Sequence, residues 1–252
     1  MYVVDWLNES VGQVFKIDRV LVSERTLYQE VLICTIQQLG KALFLDGQLQ
    51  STQCDLEKYH EALTEPSLRA VRDKPATLVI GGAEGATVRH ALGYSRTVTM
   101  VDIDERLVEL CRTYLEEFHS GAFADTRLNL VFEDGALYVT NLNAKFDVVI
   151  VDGTDPSDRL PGSNLYTKDF YEKIRSIMNP DGIFATQAGS TFYRRREFDL
   201  VRARVEDVFS HTLAYKALVP SYCDEWGFVL ASPSPIPASC LDTLRALGCT
   251  TV

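Results

Sequence analysis

From Pro75 onward, short apolar runs alternate with segments of helical periodicity: TLVI, TVTMVDI, LNLVF, FDVVIV and GIFATQ follow one another along the chain. Runs apolar at nearly every position, rather than at every second one, belong to strands covered on both faces. The stretches between them, 85–92, 105–114, 135–141, 168–177 and 195–208, are amphipathic enough to pack on a sheet. Together they predict a parallel sheet with helices on both sides. Segments 212–215 and 226–231 lack a long helix between them and predict an antiparallel edge hairpin. Ahead of this region, β-rich runs at 14–22, 28–35 and 41–45 are separated by polar turns that include Asp46-Gly47. Residues 1–65 are therefore expected to form a small antiparallel unit and residues 66–252 the main α/β domain.

A formal net charge of −10 disfavours nucleic acid and anionic membrane as partners, since both need clustered Lys and Arg. The only basic run, Arg194-Arg195-Arg196, reads as an exposed helix start. No apolar run is long enough to span a bilayer and the first residues lack a signal-peptide layout, so a cytoplasmic protein is expected. Cys34, Cys54, Cys111, Cys223, Cys240 and Cys249 form no CxxC pair or metal-ligand spacing; reduced thiols and no metal are expected.

The run TLVIGGAEGATVRHAL sets a glycine-rich turn between a buried strand and a helix, where Gly81 and Gly82 let a ligand approach the backbone. In VDID, Asp102 ends the next strand 21 residues after Gly81, the placement of a carboxylate that accepts hydrogen bonds from ribose hydroxyls. Glu133-Asp134-Gly135 ends the third strand, in position to meet an adenine amino group. Three such signals at successive strand ends fit an adenosine pocket along the carboxyl edge of the sheet. GGAEG is not a clean GxGxxG fingerprint, so a nucleoside related to S-adenosylmethionine is preferred over a dinucleotide.

Glu84 lies within the glycine turn, where such a donor would hold its amino-acid end. A carboxylate there repels the carboxylate of S-adenosylmethionine and attracts the bare ammonium of the decarboxylated form; an ion pair at about 4 Å is worth roughly 4 kcal/mol before desolvation. FDVVIV runs into Asp152-Gly153-Thr154-Asp155-Pro156, which sets two carboxylates at a strand end beside the pocket. Transfer to an amine requires holding a cation, removing one proton and fixing a distance. Asp152 is assigned as the proton acceptor and Asp155 as the clamp on the acceptor's nitrogen. A nearby sulfonium eases that proton loss by lowering the ammonium pKa.

These motifs resemble the spermidine synthase family in order from about Trp6 to Ser232. LFLDGQLQSTQCDLEKYHEAL is similar to the family segment that closes over the pocket, with Tyr59, His60 and Glu61 in its Tyr-His-Glu motif; GGAEG, VDID, EDG and DGTDP follow in family order. NLYTKDFY, IFATQAGS and VPSYCDEWGFVLAS lean toward its thermospermine synthase and triamine-forming branches. The resemblance implies a Rossmann-like sheet of the class I methyltransferase type, a catalytic domain over 66–252, and a homodimer or homotetramer built through the N-terminal unit. It implies polyamine aminopropyl transfer from decarboxylated S-adenosylmethionine, a co-substrate, with no cofactor. By resemblance, Gln29, Asp102, Asp134, Gly135 and Pro161 contact the donor, His60, Glu84 and Asp155 the amines, and Asp152 takes the proton. Tyr59, Gln187 and Tyr222 line the channel, where aromatic faces suit ammonium groups and methylenes. The chain departs from the family at Ala83 for a third glycine, Asp102 for glutamate, Leu56 for an acid, and in a longer 157–161 segment.

Two other readings share part of this pattern. A small-molecule methyltransferase would use the nucleoside pocket without an amine channel, and a silent homologue would bind nucleosides or polyamines without turnover. Glu84 opposes the first and the Asp152/Asp155 pair the second.

Overall fold

A computed structural model describes residues 1–71, 73–155 and 161–252, the side chains of 161–163 excepted. The chain opens with two small antiparallel sheets: a hairpin of β1 (Tyr2–Trp6) and β2 (Gly12–Lys16), then a meander of β3 (Arg19–Arg25), β4 (Glu30–Ile36), β5 (Gly40–Leu45) and β6 (Gln48–Thr52). The apolar run at 14–22 is thus split between two sheets at Ile17-Asp18. Asp46 and Gly47, both at positive φ (49° and 80°), make the two-residue turn between β5 and β6, the backbone that Asp-Gly favours in tight hairpins.

The large sheet has eight strands in the order β14-β12-β13-β11-β10-β7-β8-β9. Its parallel part comprises β7 (Ala76–Gly81), β8 (Thr97–Asp102), β9 (Leu128–Phe132), β10 (Phe146–Asp152) and β11 (Met178–Ser190). The antiparallel edge is β12 (His211–Val219), β13 (Asp224–Ser232) and the short β14 (Thr250–Thr251). β13 lies between β11 and β12, so the C-terminal hairpin inserts its second strand against the parallel part. The chain runs outward from β7 to β9, then returns to β10 on β7's other side. That reversal puts a crevice beyond the carboxyl ends of β7 and β10, where open α/β sheets bind ligands.

Two apolar layers cover the sheet. One, around Leu78, Ile80, Phe170, Tyr171, Phe184 and Phe198, packs α5 (Gly135–Asn141), α6 (Lys168–Ser176) and α7 (Arg195–Glu206) on one face. The other joins α1 (Leu56–Leu68), α2 (Ala86–Tyr94), α3 (Glu105–Tyr114), α4 (Glu116–His119) and α8 (Ala238–Ala246) to the opposite face and to the meander. The 65/66 division falls inside α1.

Helix α1 carries Pro66, which has no N–H to give the carbonyl four residues back, that of Ala62. The buried Tyr215 hydroxyl donates to this carbonyl at 2.7 Å, replacing the missing helical bond. The helix therefore continues through the proline to Leu68, while its first turns bring Tyr59 to the crevice.

Candidate active site

Parallel register pairs Asp152 at the end of β10 with Gly81 at the end of β7. Gly82 N–H donates to the Asp152 carbonyl at 2.9 Å, and a Cβ on Gly81, whose φ is +84°, would sit 2.2 Å from that oxygen. The glycine turn therefore has a structural reason beyond the ligand approach read from the sequence: it lets two strand ends touch. Gly135 follows the same logic, since a Cβ there would lie 2.5 Å from Ile80 Cγ2. Gly85 opens α2 at φ +82°, where a Cβ would meet His119 and Phe123 at 2.7 Å.

The cavity at these strand ends, of about 130 Å³, is lined by Gln29, Tyr59, Gly81, Gly82, Glu84, Asp102, Asp134, Gly135, Asp152, Asp155, Gln187 and Tyr222. Twelve of the residues named from the sequence thus share one cavity. His60 stands behind it, and Pro161 opens the 3₁₀ turn Pro161–Tyr166 with its side chain outside the described residues.

Asp152 is held from three sides. Tyr59 OH donates to Oδ1 at 2.8 Å, Thr87 Oγ1 donates to Oδ2 at 2.5 Å, and His60 Nε2 lies 4.0 Å from Oδ2. Burial and the neighbouring Glu84 charge push its carboxyl pKa up, against the pull of His60, Thr87 and Tyr59. The direction suits a group that must accept a proton.

His60 differs from its sequence assignment as an amine ligand. Its Nδ1 lies 2.7 Å from the Leu56 carbonyl, which can only accept, so Nδ1 carries a proton; Nε2 lies 2.8 Å from Glu84 Oε1. Both ring nitrogens are therefore engaged within the protein, which leaves His60 none to offer an amine. Burial pulls the His60 pKa down, but the Glu84 hydrogen bond and charge, aided by Asp152, raise it overall. Ligating atoms of His60, Glu84 and Asp152 fall within 4.8 Å of one another, a spacing a cation could bridge.

On the nucleoside side, Asp102 is 9% exposed and accepts from Asp104 N–H at 2.9 Å. Burial, with the Asp104, Glu84 and Asp152 charges, pushes its carboxyl up to about 7 against that hydrogen bond. Asp134 caps α5, one oxygen accepting from Ala136 and Leu137 N–H at 2.8 and 3.1 Å. Gln29 is fixed by Asp104, whose Oδ2 accepts from its amide at 3.1 Å and from Thr26 Oγ1 at 2.6 Å while Oδ1 caps α3. Asp104 thereby ties the meander to the sheet; its place in VDID, one residue before a helix, was the available signal.

At the other end, Gln187 lines the cavity but its amide is spent within the protein: it donates to Gly153 and Thr154 carbonyls at 3.1 Å and accepts from Trp226 Nε1 at 3.2 Å. Tyr222 OH donates to the Gln50 carbonyl, and Asp55 anchors that turn through Ser221 N–H at 2.7 Å. Asp155 Oδ2 meets Arg194 Nη1 at 3.2 Å, and burial still pushes its carboxyl up to about 6 despite that charge. Arg194 is no exposed helix start: it is 20% exposed and also donates to the Leu7 and Trp6 carbonyls at 2.8 Å each. A basic triplet gave no sign that its first member turns inward. Arg195 and Arg196 are exposed, as read.

Residues 56–239 match the family model described as the spermine/spermidine synthase domain, and residues 5–53 that of the spermidine synthase tetramerisation domain. Polyamine aminopropyltransferase 2 of Hyperthermus butylicus is 42% identical over 239 residues, 94% of this chain and 78% of that one. The polyamine aminopropyltransferase of Sulfolobus acidocaldarius is 38% identical, over 93% of this chain and 78% of its own length. A crystal structure of spermidine synthase with the transition-state analogue AdoDATO superposes with a TM-score of 0.91 at 29% identity, covering 96% of this chain and 83% of that one. Spermidine synthase from Thermotoga maritima gives 0.88 at 28% identity, covering 96% and 82%.

Proposed function

The chain belongs to the spermine/spermidine synthase family and is a polyamine aminopropyltransferase, and from that premise we propose that it uses decarboxylated S-adenosylmethionine as donor and putrescine as its first acceptor. The observation that carries this reading is the joined set Glu84, His60, Asp152 and Tyr59 beside the glycine turn. Asp102 takes the ribose hydroxyls, and the free oxygen of Asp134, with Gly135, meets the adenine. Glu84, pinned by His60, faces the donor's ammonium and repels any donor that keeps its carboxylate.

In the reaction Asp152 accepts one proton from the acceptor's ammonium. The freed amine attacks the methylene next to the sulfonium; the carbon–sulfur bond breaks, its electron pair stays on sulfur, and methylthioadenosine leaves. Tyr59 holds Asp152 Oδ1 in line, and Tyr222 and Trp226 present aromatic faces to the acceptor's methylenes. Asp155 takes the second nitrogen. No cofactor enters this scheme. A homodimer or homotetramer formed through residues 5–53 and a cytoplasmic location complete the proposal; no helix of the described residues is long and apolar enough to cross a membrane.

The test is mass spectrometry of protein incubated with decarboxylated or unmodified S-adenosylmethionine and putrescine, spermidine or agmatine. Methylthioadenosine and an aminopropylated amine from the decarboxylated donor alone support the reading. S-Adenosylhomocysteine from the unmodified donor, or saturable binding without product, overturns it.

A further inference from the structure

Beside the acceptor end of the cavity, past Asp155, lies a second, smaller chamber of about 30 Å³, and the two share Leu49, Asp155, Tyr222 and Trp226 as walls. The chamber also has Asp5, Ser190, Asp224 and Arg194 in its lining. Asp5 and Asp224 are each 7% exposed, and burial pushes the Asp5 carboxyl up. Such acids would welcome a further ammonium, but one cation is already built in. Arg194 Nε donates to Leu7 O and Nη2 to Trp6 O, both at 2.8 Å, while Nη1 reaches Asp155 Oδ2 at 3.2 Å. A guanidinium fixed by two backbone carbonyls and a carboxylate does not yield to an incoming ligand without losing all three bonds.

We propose that Arg194 is the length stop of the acceptor channel, ending it at Asp155 and directing the enzyme to diamines over acceptors that carry a third cation. This rests on the aminopropyl-transfer reading above. Two effects act together. The chamber is small beside the main cavity, about 30 Å³ against about 130 Å³, and Arg194 forms part of its wall, so an extra aminopropyl arm would have to displace the guanidinium. A third ammonium would also meet the guanidinium as a like charge in a half-buried site. The second nitrogen of a diamine stops short of both and shares Asp155 with Arg194.

The experiment compares kcat/KM for putrescine and spermidine, at saturating decarboxylated S-adenosylmethionine, in the wild-type protein and in Arg194→Ala. In the wild type putrescine should be favoured by about tenfold or more, the factor that ~1.4 kcal/mol represents. In Arg194→Ala, which opens the chamber and leaves Asp5, Asp155 and Asp224 without the guanidinium, the spermidine-to-putrescine ratio should rise by about tenfold or more. Arg194→Met, which keeps most of the volume and removes the charge, should give a smaller rise. Wild-type protein that uses spermidine as efficiently as putrescine overturns the stop, as does an active Arg194→Ala with an unchanged ratio. Since Arg194 also pins the β1–β2 hairpin, a variant that fails to fold leaves the wild-type ratio to decide alone. No product from any amine overturns the reading beneath, whereas efficient product from spermidine overturns only the stop.

Discussion

Replacing Asp102 with Asn should make the ligand-free protein more stable and a worse nucleoside binder, and the size of the first effect follows from its burial. The carboxyl is pushed from 3.8 up to about 7, first by burial and then by the charges of Asp104, Glu84 and Asp152. A folded pKa above the unfolded one means that the folded state holds the proton more tightly. Its contribution is full below about pH 4 and is lost as pH rises through about 7. At ~1.4 kcal/mol per unit, the ionised group costs roughly 4 kcal/mol above neutrality and about 1–2 kcal/mol near pH 5.

The carboxamide introduced by Asp102→Asn keeps an oxygen for Asp104 N–H and carries no charge, so it escapes this cost. Urea denaturation at equal protein concentration should find the variant stabilised by several kcal/mol near pH 8, with the gain smaller by about 2–3 kcal/mol near pH 5. Calorimetry with methylthioadenosine should show affinity reduced about 10- to 100-fold, the loss of a hydrogen bond to a charged group. A destabilised variant near pH 8, or a gain that does not change with pH, would refute the electrostatic argument.

Asp152→Asn should lower turnover by about 10²–10⁴-fold while methylthioadenosine affinity stays within about threefold, because the change removes a proton acceptor and little volume. Product mass spectrometry and calorimetry read the two quantities. Gly81→Ala should cost at least ~3 kcal/mol in thermal unfolding, since its Cβ would lie 2.2 Å from the Asp152 carbonyl at φ +84°. Tyr215→Phe should cost about 1–3 kcal/mol by orphaning the Ala62 carbonyl, and less when Pro66→Ala restores a helical N–H to it; a double-mutant cycle measures the difference.

The parallel sheet was legible because each of its strands is a run of apolar residues, and α3 and α5 have the bounds their periodicity suggested. Helix α1 was not read as a helix, although Leu56, Tyr59, His60 and Leu63 share one face: residues 1–65 were expected to form an antiparallel β unit, and Pro66 is of a type that ordinarily breaks a helix. What permits Pro66 is Tyr215, 149 positions away in sequence from Pro66, and no local pattern reports it. Helix α8 and β14 lacked a motif of their own. The site's acids were legible because each follows an apolar run at a strand end. The partners that fix the site's side chains were not: Thr87 on Asp152, Asp104 on Gln29 and Arg194 on Asp155 all come from elsewhere in the chain.

Those partners give the pocket an uneven charge balance. Glu84, Asp102 and Asp152 converge from the ends of three neighbouring strands, β7, β8 and β10, and burial raises the pKa of the last two. His60 stands against Glu84 and Asp152, held by the Leu56 carbonyl on one side and Glu84 on the other, and those contacts favour its charged form. A neutral nucleoside offers hydrogen bonds to Asp102 but no charge to offset the acids. A sulfonium carrying a free ammonium brings two positive charges, and a diamine brings two more before it gives a proton to Asp152. The unliganded protein is therefore electrostatically unfavourable in the region its substrates fill, and the charged donor should raise its unfolding temperature more than methylthioadenosine does at equal concentration. In the proposed reaction the same surplus fits a buried aspartate to the part of proton acceptor. There the amine would arrive beside a sulfonium that lowers its pKa, while burial and then Glu84 raise that of Asp152, and the two shifts bring donor and acceptor of the proton toward each other.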